Sequence, residues 1–279
     1  MKNWKNRKKY IYMAQDDLIS KIQHSINTSS KPAFIPFIVS GYPDFETTKK
    51  LLKLFEEKNA AAVELGIPFS DPLADGPVIQ KASKASLEKG TNINKIFEML
   101  EEIKASCKIP IILFTYYNPV LNYGEKEFIK KASEVNVSGL IIPDLPLEES
   151  EKLSQECKAY NIDLIMLISP TSDKERIEKL AKASSGFIYL VSSTGVTGVR
   201  SSFSEKLGNI LDKLKTVTRI PVAVGFGVSK KEHIRELKAI NVDAAIVGSA
   251  IIKIIDEYKQ DREALIGKIG EYIDELFPQ

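Results

Sequence analysis

The sequence predicts a single (β/α)8 TIM barrel of the α/β class with one extra helix at its N-terminal side. Three observations carry that prediction. Eight short apolar runs have strand character, an amphipathic segment bearing Lys and Glu follows almost every one, and the glycine-rich loops stand after the sixth, seventh and eighth runs. A dinucleotide-binding open sheet would instead place one G-x-G-x-x-G after its first strand. With 279 residues, 43% hydrophobic and 27% charged, the chain has the composition of a globular domain and the length of one α/β barrel.

Residues 1–14 begin the chain with Lys2, Lys5, Arg7, Lys8 and Lys9 and no acid, and are read as a basic extension to a barrel domain spanning 15–279. A helix is expected over 16–27. Strands are expected at 34–39, 62–65, 110–114, 139–142, 164–168, 187–191, 221–224 and 244–247. Helices are expected at 46–58, 124–135, 147–160, 172–183, 202–217 and 230–239, with two between the second and third strands. One long amphipathic segment, 251–276, closes the series. Strands that are apolar nearly throughout belong in a parallel sheet covered on both faces, and eight of them in about 250 residues favour a closed barrel. No low-complexity linker divides the chain.

Charge and composition exclude several classes of function. Lys and Arg number 39 against 37 Asp and Glu, and five of those positive charges are spent in the first ten residues, so the body lacks the basic face that nucleic-acid binding requires. Cys107 and Cys157 have no C-x-x-C spacing, which points to a reducing compartment and to no thiolate metal site. His24 and His233 lie in polar, helix-like stretches and are read as surface residues. No uncharged run reaches membrane-spanning length, and the apolar stretch after the basic start is too short for a secretory signal.

Barrel chemistry is expected at the C-terminal ends of the strands. In Ala62-Val63-Glu64-Leu65-Gly66 the two-residue period turns Glu64 inward and Val63 and Leu65 toward the helices. A carboxyl in that position must be hydrogen-bonded, protonated part of the time, or used in chemistry. An ion pair is the structural alternative, but none of the eight strand runs carries a Lys or Arg. Asp75 follows in the same loop and brings a second carboxylate to the same mouth. Asp71-Pro72 and Asp75-Gly76, taken singly, are also ordinary turn and cap chemistry, and Asp144 before Leu147-Glu148-Glu149 reads as a helix-entry residue. The late loops, Thr194-Gly195-Val196-Thr197-Gly198, Gly225-Phe226-Gly227-Val228-Ser229 and Gly248-Ser249-Ala250, could turn backbone N–H groups and a helix N-terminus toward one anion, for which phosphate is the natural guest.

The run Val63-Glu64-Leu65-Gly66-Ile67-Pro68-Phe69-Ser70-Asp71-Pro72-Leu73-Ala74-Asp75-Gly76-Pro77 resembles the signature of the tryptophan synthase α subunit family. The likeness extends to Phe34-Ile35-Pro36-Phe37-Ile38 with Gly41-Tyr42-Pro43, to Tyr116-Tyr117-Asn118-Pro119, to Pro143-Asp144-Leu145-Pro146 and to the late loops, covering residues 16–279. The basic start departs from it. What the resemblance implies is retro-aldol cleavage of indole-3-glycerol phosphate to indole and glyceraldehyde 3-phosphate, with indole passed to a pyridoxal-phosphate-bearing β subunit in an α2β2 heterotetramer. Glu64 and Asp75 would be catalytic, Glu64 carrying protons and an ionised Asp75 accepting the indole N–H. Phe37, Leu113 and Ile141, with Tyr116 and Tyr189 near the mouth, would hold the ring. Gly198, Gly225, Gly227, Gly248 and Ser249 would serve the substrate's phosphate side, and the loop 192–202 would be a lid with Thr197 as its active-site contact. Asp71, Pro72 and Asn118 would meet the β subunit. The resemblance calls for no cofactor or metal in this chain, and its compartment would be a cytoplasm or a plastid stroma. A different sugar-phosphate barrel is the rival enzyme, although a Schiff-base aldolase needs an inward strand Lys that is missing. A catalytically silent activator of a β subunit is the other alternative, opposed by the presence of both carboxylates.

Overall fold

A computed structural model describes residues 19–191, 200–225 and 227–278, with backbone only at 200–206. The extension 1–14 and the loop residues Thr197 and Gly198 lie outside the described residues.

The strands are β1 Ala33–Val39, β2 Val63–Gly66, β3 Ile111–Phe114, β4 Val137–Ile141, β5 Asp163–Ile165, β6 Leu167–Ile168, β7 Ile188–Val191, β8 Val222–Gly225 and β9 Ala244–Val247. All their pairings are parallel, in the order β5-β4-β3-β2-β1-β9-β8-β7-β6. The two ends of that order, β5 and β6, are consecutive in the chain, so the ring closes through Met166. Together they form the single fifth strand expected from sequence. It breaks because the Met166 N–H donates to Ser184 Oγ at 3.1 Å instead of continuing the ladder.

Around the ring run α1 Lys21–Thr28, α2 Phe45–Glu57, α3 Pro77–Glu88, α4 Ile93–Ile103, α5 Tyr117–Tyr123, α6 Glu125–Glu134, α7 Glu151–Ala159, α8 Lys174–Ala183, α9 Arg200–Val217, α10 Lys231–Ala239, α11 Ser249–Tyr258 and α12 Arg262–Leu276. Four expectations change. The first helix starts later than residue 16, at a capping box in which Ser20 and Gln23 satisfy each other's backbone N–H groups. The stretch 147–160 is a 3-10 turn, Leu147–Glu149, followed by α7. The segment 251–276 is two helices, because Asp261 caps α12 by accepting from Glu263 and Ala264 N–H. A short helix, α5, precedes α6 across Gly124, whose φ of +94° turns the chain between them.

Helix starts and stops follow side-chain chemistry. Asp44, Asn92 and Asp173 each accept the N–H three residues on. Asn59, Asn136, Asn161 and Asn241, with φ between +56° and +63°, end α2, α6, α7 and α10 in the left-handed conformation that asparagine tolerates. The core is continuous, from the barrel interior outward to the helix layer. At the N-terminal mouth α1 acts as a plug. Ile22 is fully buried against Gly139 of β4, where a Cβ would sit 2.7 Å from Ile22 Cδ1. With that mouth closed, the accessible end of the barrel is the C-terminal one, where the loop after β2 begins.

Candidate active site

Register sorts the strand residues into two faces. Glu64 pairs with Phe37 on β1 and Ile112 on β3, while Gly66 pairs with Val39 and Phe114. Across to β4, Phe114 pairs with Ile141. These residues share the inward face, as the near contact of a Gly66 Cβ with Phe37 (2.9 Å) and of a Gly248 Cβ with the same ring (3.3 Å) confirms. Leu113 does not belong to this set. It pairs with Leu65 and Leu140, on the face turned to the helices. Phe114 is the inward residue the sequence reading missed, and its ring meets Phe37 edge to face at 5.5 Å. The strand register gave the missing signal: Phe114 stands two residues from Ile112, whose position opposite Glu64 fixes the inward face.

Glu64 is 1% exposed, and its Oε1 has no hydrogen-bond partner among the described residues. Burial therefore pushes its carboxyl well above the ordinary glutamate range. Of the three fates open to such a group, burial favours protonation. Asp75 sits in the loop after β2, held by a turn in which its N–H donates to the Pro72 carbonyl at 3.0 Å. Burial raises it to about 6, opposed by a hydrogen bond from the Tyr116 hydroxyl at 3.2 Å. Tyr116 is thus more than a ring wall: its oxygen also accepts the Ala74 N–H at 2.9 Å, and its ring packs on Phe69 at 5.4 Å. A carboxyl pushed up by burial beside one at about 6 divides the roles of proton holder and hydrogen-bond acceptor between two environments.

Tyr189, buried in β7, shares the inward face with Glu64: its register runs through Ala223 and Ala244 to Ala33, four residues before Phe37 on β1. Burial, with the carboxyls of Glu64 and Asp75, pushes its phenol well up. Tyr189 pairs with Ala223 and lies opposite Gly225, where a Cβ would fall 2.1 Å from the phenolic oxygen. Gly225 keeps the room the ring occupies. Asp144, read as a helix-entry residue, accepts the Tyr117 N–H at 2.9 Å and so caps the neighbouring α5.

Past β8 the chain turns at Gly227, φ +89°. Past β9, Gly248 leads into α11, whose first turn has no side-chain cap and whose Ser249 is exposed. These open N–H groups lie at the same end of the ring as Glu64. His233, expected on the surface, is instead half-buried and accepts the Ser229 N–H at Nδ1 (3.2 Å). The described residues hold no cluster of His, Cys, Asp and Glu suited to a metal, and none of their helices is long and apolar enough to cross a membrane.

A family model described as tryptophan synthase alpha chain matches residues 24–276. The chain belongs to the tryptophan synthase alpha chain family. Relatives of that name include one from Prochlorococcus marinus (strain NATL1A), 49% identical over 92% of this chain and 96% of its own, and one from Arabidopsis thaliana, 47% identical over 86% and 87%. Among solved structures, one on mutual activation of the tryptophan synthase a2b2 complex from Pyrococcus furiosus superposes with a TM-score of 0.81 at 35% identity, covering 89% of this chain and 98% of that one. A chain from Aquifex aeolicus VF5 gives 0.82 at 34% identity over 92% and 98%. Members of the family are carbon–carbon lyases of tryptophan biosynthesis that cleave indole-3-glycerol phosphate.

Proposed function

We propose that the lyase activity of this family member is carried by Glu64 and Asp75 at the C-terminal mouth of the barrel. The observation that carries the reading is the presence, at one barrel mouth, of a buried Glu64 whose Oε1 has no partner among the described residues and of Asp75, raised by burial to about 6. Cleavage of the bond between indole C3 and the glycerol carbon needs a proton delivered to C3, removal of the adjacent hydroxyl proton, and stabilisation of positive charge on the indole nitrogen. Neutral Glu64 supplies the first proton. As a carboxylate it then takes the hydroxyl proton, the C–C electrons pass into the ring, and the acid is restored as indole and glyceraldehyde 3-phosphate part. Asp75, ionised, accepts the indole N–H throughout.

In this reading Phe37, Phe114 and Ile141, with Tyr189, enclose the ring, while Gly227, Gly248 and Ser249 offer N–H groups to the phosphate. No step calls on a cofactor in this chain. Pyridoxal phosphate belongs to the proposed β partner, which uses the released indole. The partner surface is the turn bearing Asp71 and Pro72 together with Asn118 on α5. Leu73 on that turn is 92% exposed and Leu121 on α5 is also exposed, an apolar pair that a partner would cover. Replacing Glu64 by Gln tests the assignment: fold and binding should persist and indole release should stop.

A further inference from the structure

The turn after β8 is held from two directions by side chains of two different helices. Both backbone groups of Ser229 are taken: its N–H by His233 Nδ1 at 3.2 Å, and its carbonyl by the Tyr272 hydroxyl at 3.0 Å. His233 projects from the first turn of α10, which has no side-chain cap at Lys230. Tyr272 comes from α12, 43 residues away, so the last helix of the chain reaches back into the loop of the eighth unit. The Tyr272 phenol is half-buried and raised by that burial and by Glu275, so it remains a donor at neutral pH. Between Gly225 and Ser229, the N–H groups of Gly227 and Val228 donate to no described residue. Gly227 lies at φ +89° and Val228 is buried, so their direction depends on how Ser229 is anchored.

We infer that His233 and Tyr272 are positioning residues for substrate phosphate, a two-sided latch on Ser229 that aims the N–H groups of the 227–228 turn. This rests on the phosphate reading given above. By fixing the Ser229 carbonyl from outside and consuming its N–H from within, the latch leaves the two preceding donors for the anion and prevents the turn from rotating about Gly227. Neither side chain touches the reacting atoms. Their effect is therefore on affinity for the phosphate end.

The test is calorimetric binding of glycerol 3-phosphate and, separately, of indole to the full chain and to Tyr272→Phe, His233→Ala, His233→Gln and Ser249→Glu, with steady-state indole release and thermal melting alongside. Loss of either hydrogen bond should weaken glycerol 3-phosphate about fivefold, the effect of one ordinary hydrogen bond. Indole affinity should hold, KM should rise, and kcat should change less than about twofold. Because the Gln Oε1 can accept the Ser229 N–H, His233→Gln should recover most of the loss seen in His233→Ala. Unchanged glycerol 3-phosphate binding in both Tyr272→Phe and His233→Ala overturns the latch. If Ser249→Glu still abolishes that binding, the phosphate site itself stands; if Ser249→Glu also binds normally, the site reading falls too. Parallel loss of indole and glycerol 3-phosphate affinity, or no rescue by Gln, would make the pair general fold supports and refute the positioning role.

Discussion

Replacing Tyr116 by Phe removes the side-chain donor that reaches the Asp75 carboxyl among the described residues, while keeping the ring that packs on Phe69. The direction follows from the signs at Asp75: burial raises it to about 6, and the Tyr116 hydroxyl pulls it down. A 3.2 Å bond to a charged acceptor sits at the weak end of its class, about 1.4 kcal/mol, which moves the carboxyl up by about one pH unit, to near 7. Asp75 must be ionised to accept the indole N–H, so the acid limb of kcat/KM should shift upward by the same amount. Relative to the parent, the variant should be about fivefold slower at pH 6, twofold slower at pH 7 and nearly equal at pH 8. Continuous assay of indole release across pH 5.5–8.5 reads this, and the substrate's own phosphate ionisation cancels because both proteins see the same substrate. A uniform loss at every pH, or an acid limb that does not move, would refute the role given to the ionised Asp75.

Glu64→Gln should stabilise the fold as pH rises. The unfolded glutamate ionises above about 4.5 while the folded one stays neutral well beyond that, so the parent loses stability between those two values, by up to about 1.4 kcal/mol per pH unit. Melting curves should show little gain at pH 4 and a gain of several degrees at pH 8; a gain independent of pH contradicts this. Gly225→Ala should cut turnover at least about tenfold by displacing Tyr189, a loss of the size expected when a buried side chain is forced off its rotamer. Tyr189→Phe should fail to rescue it, since ring carbons would still lie 2.5 and 2.7 Å from the new methyl. Rescue by Phe would mean that the hydroxyl contact alone matters. Ser249→Glu should abolish glycerol 3-phosphate binding by setting a negative charge at the open N-terminus of α11, and a titration with unchanged affinity would remove that helix from the site.

The barrel was legible in sequence because its strands are buried on both faces and its helices on one, so the two periodicities separate cleanly. Glu64 was legible for a related reason: a charged residue in a run such as Ala62–Gly66 has few structural uses. Boundaries were harder. Four asparagines that end helices in the left-handed conformation look like ordinary polar residues until their φ is known, and Asp261 splits what reads as one amphipathic segment. The strand-three register slipped by one residue, which exchanged Phe114 for Leu113, because an uninterrupted Ile-Ile-Leu-Phe run has no polar residue to mark its inward face. Contacts between distant segments, such as Tyr116 with Asp75 or Tyr272 with Ser229, leave no local pattern at all.

Single-turnover cleavage of indole-3-glycerol phosphate by Glu64→Gln isolates the proton transfers assigned to that side chain. The amide keeps the shape of the buried side chain but can neither deliver the proton to C3 nor take the hydroxyl proton. Bound, folded Glu64→Gln should release indole at least about a hundredfold more slowly than the parent, within the range contributed by general acid–base catalysis. Indole release within a fewfold of the parent rate, by protein shown to be folded and saturated with substrate, would contradict the assignment of Glu64 as the proton carrier.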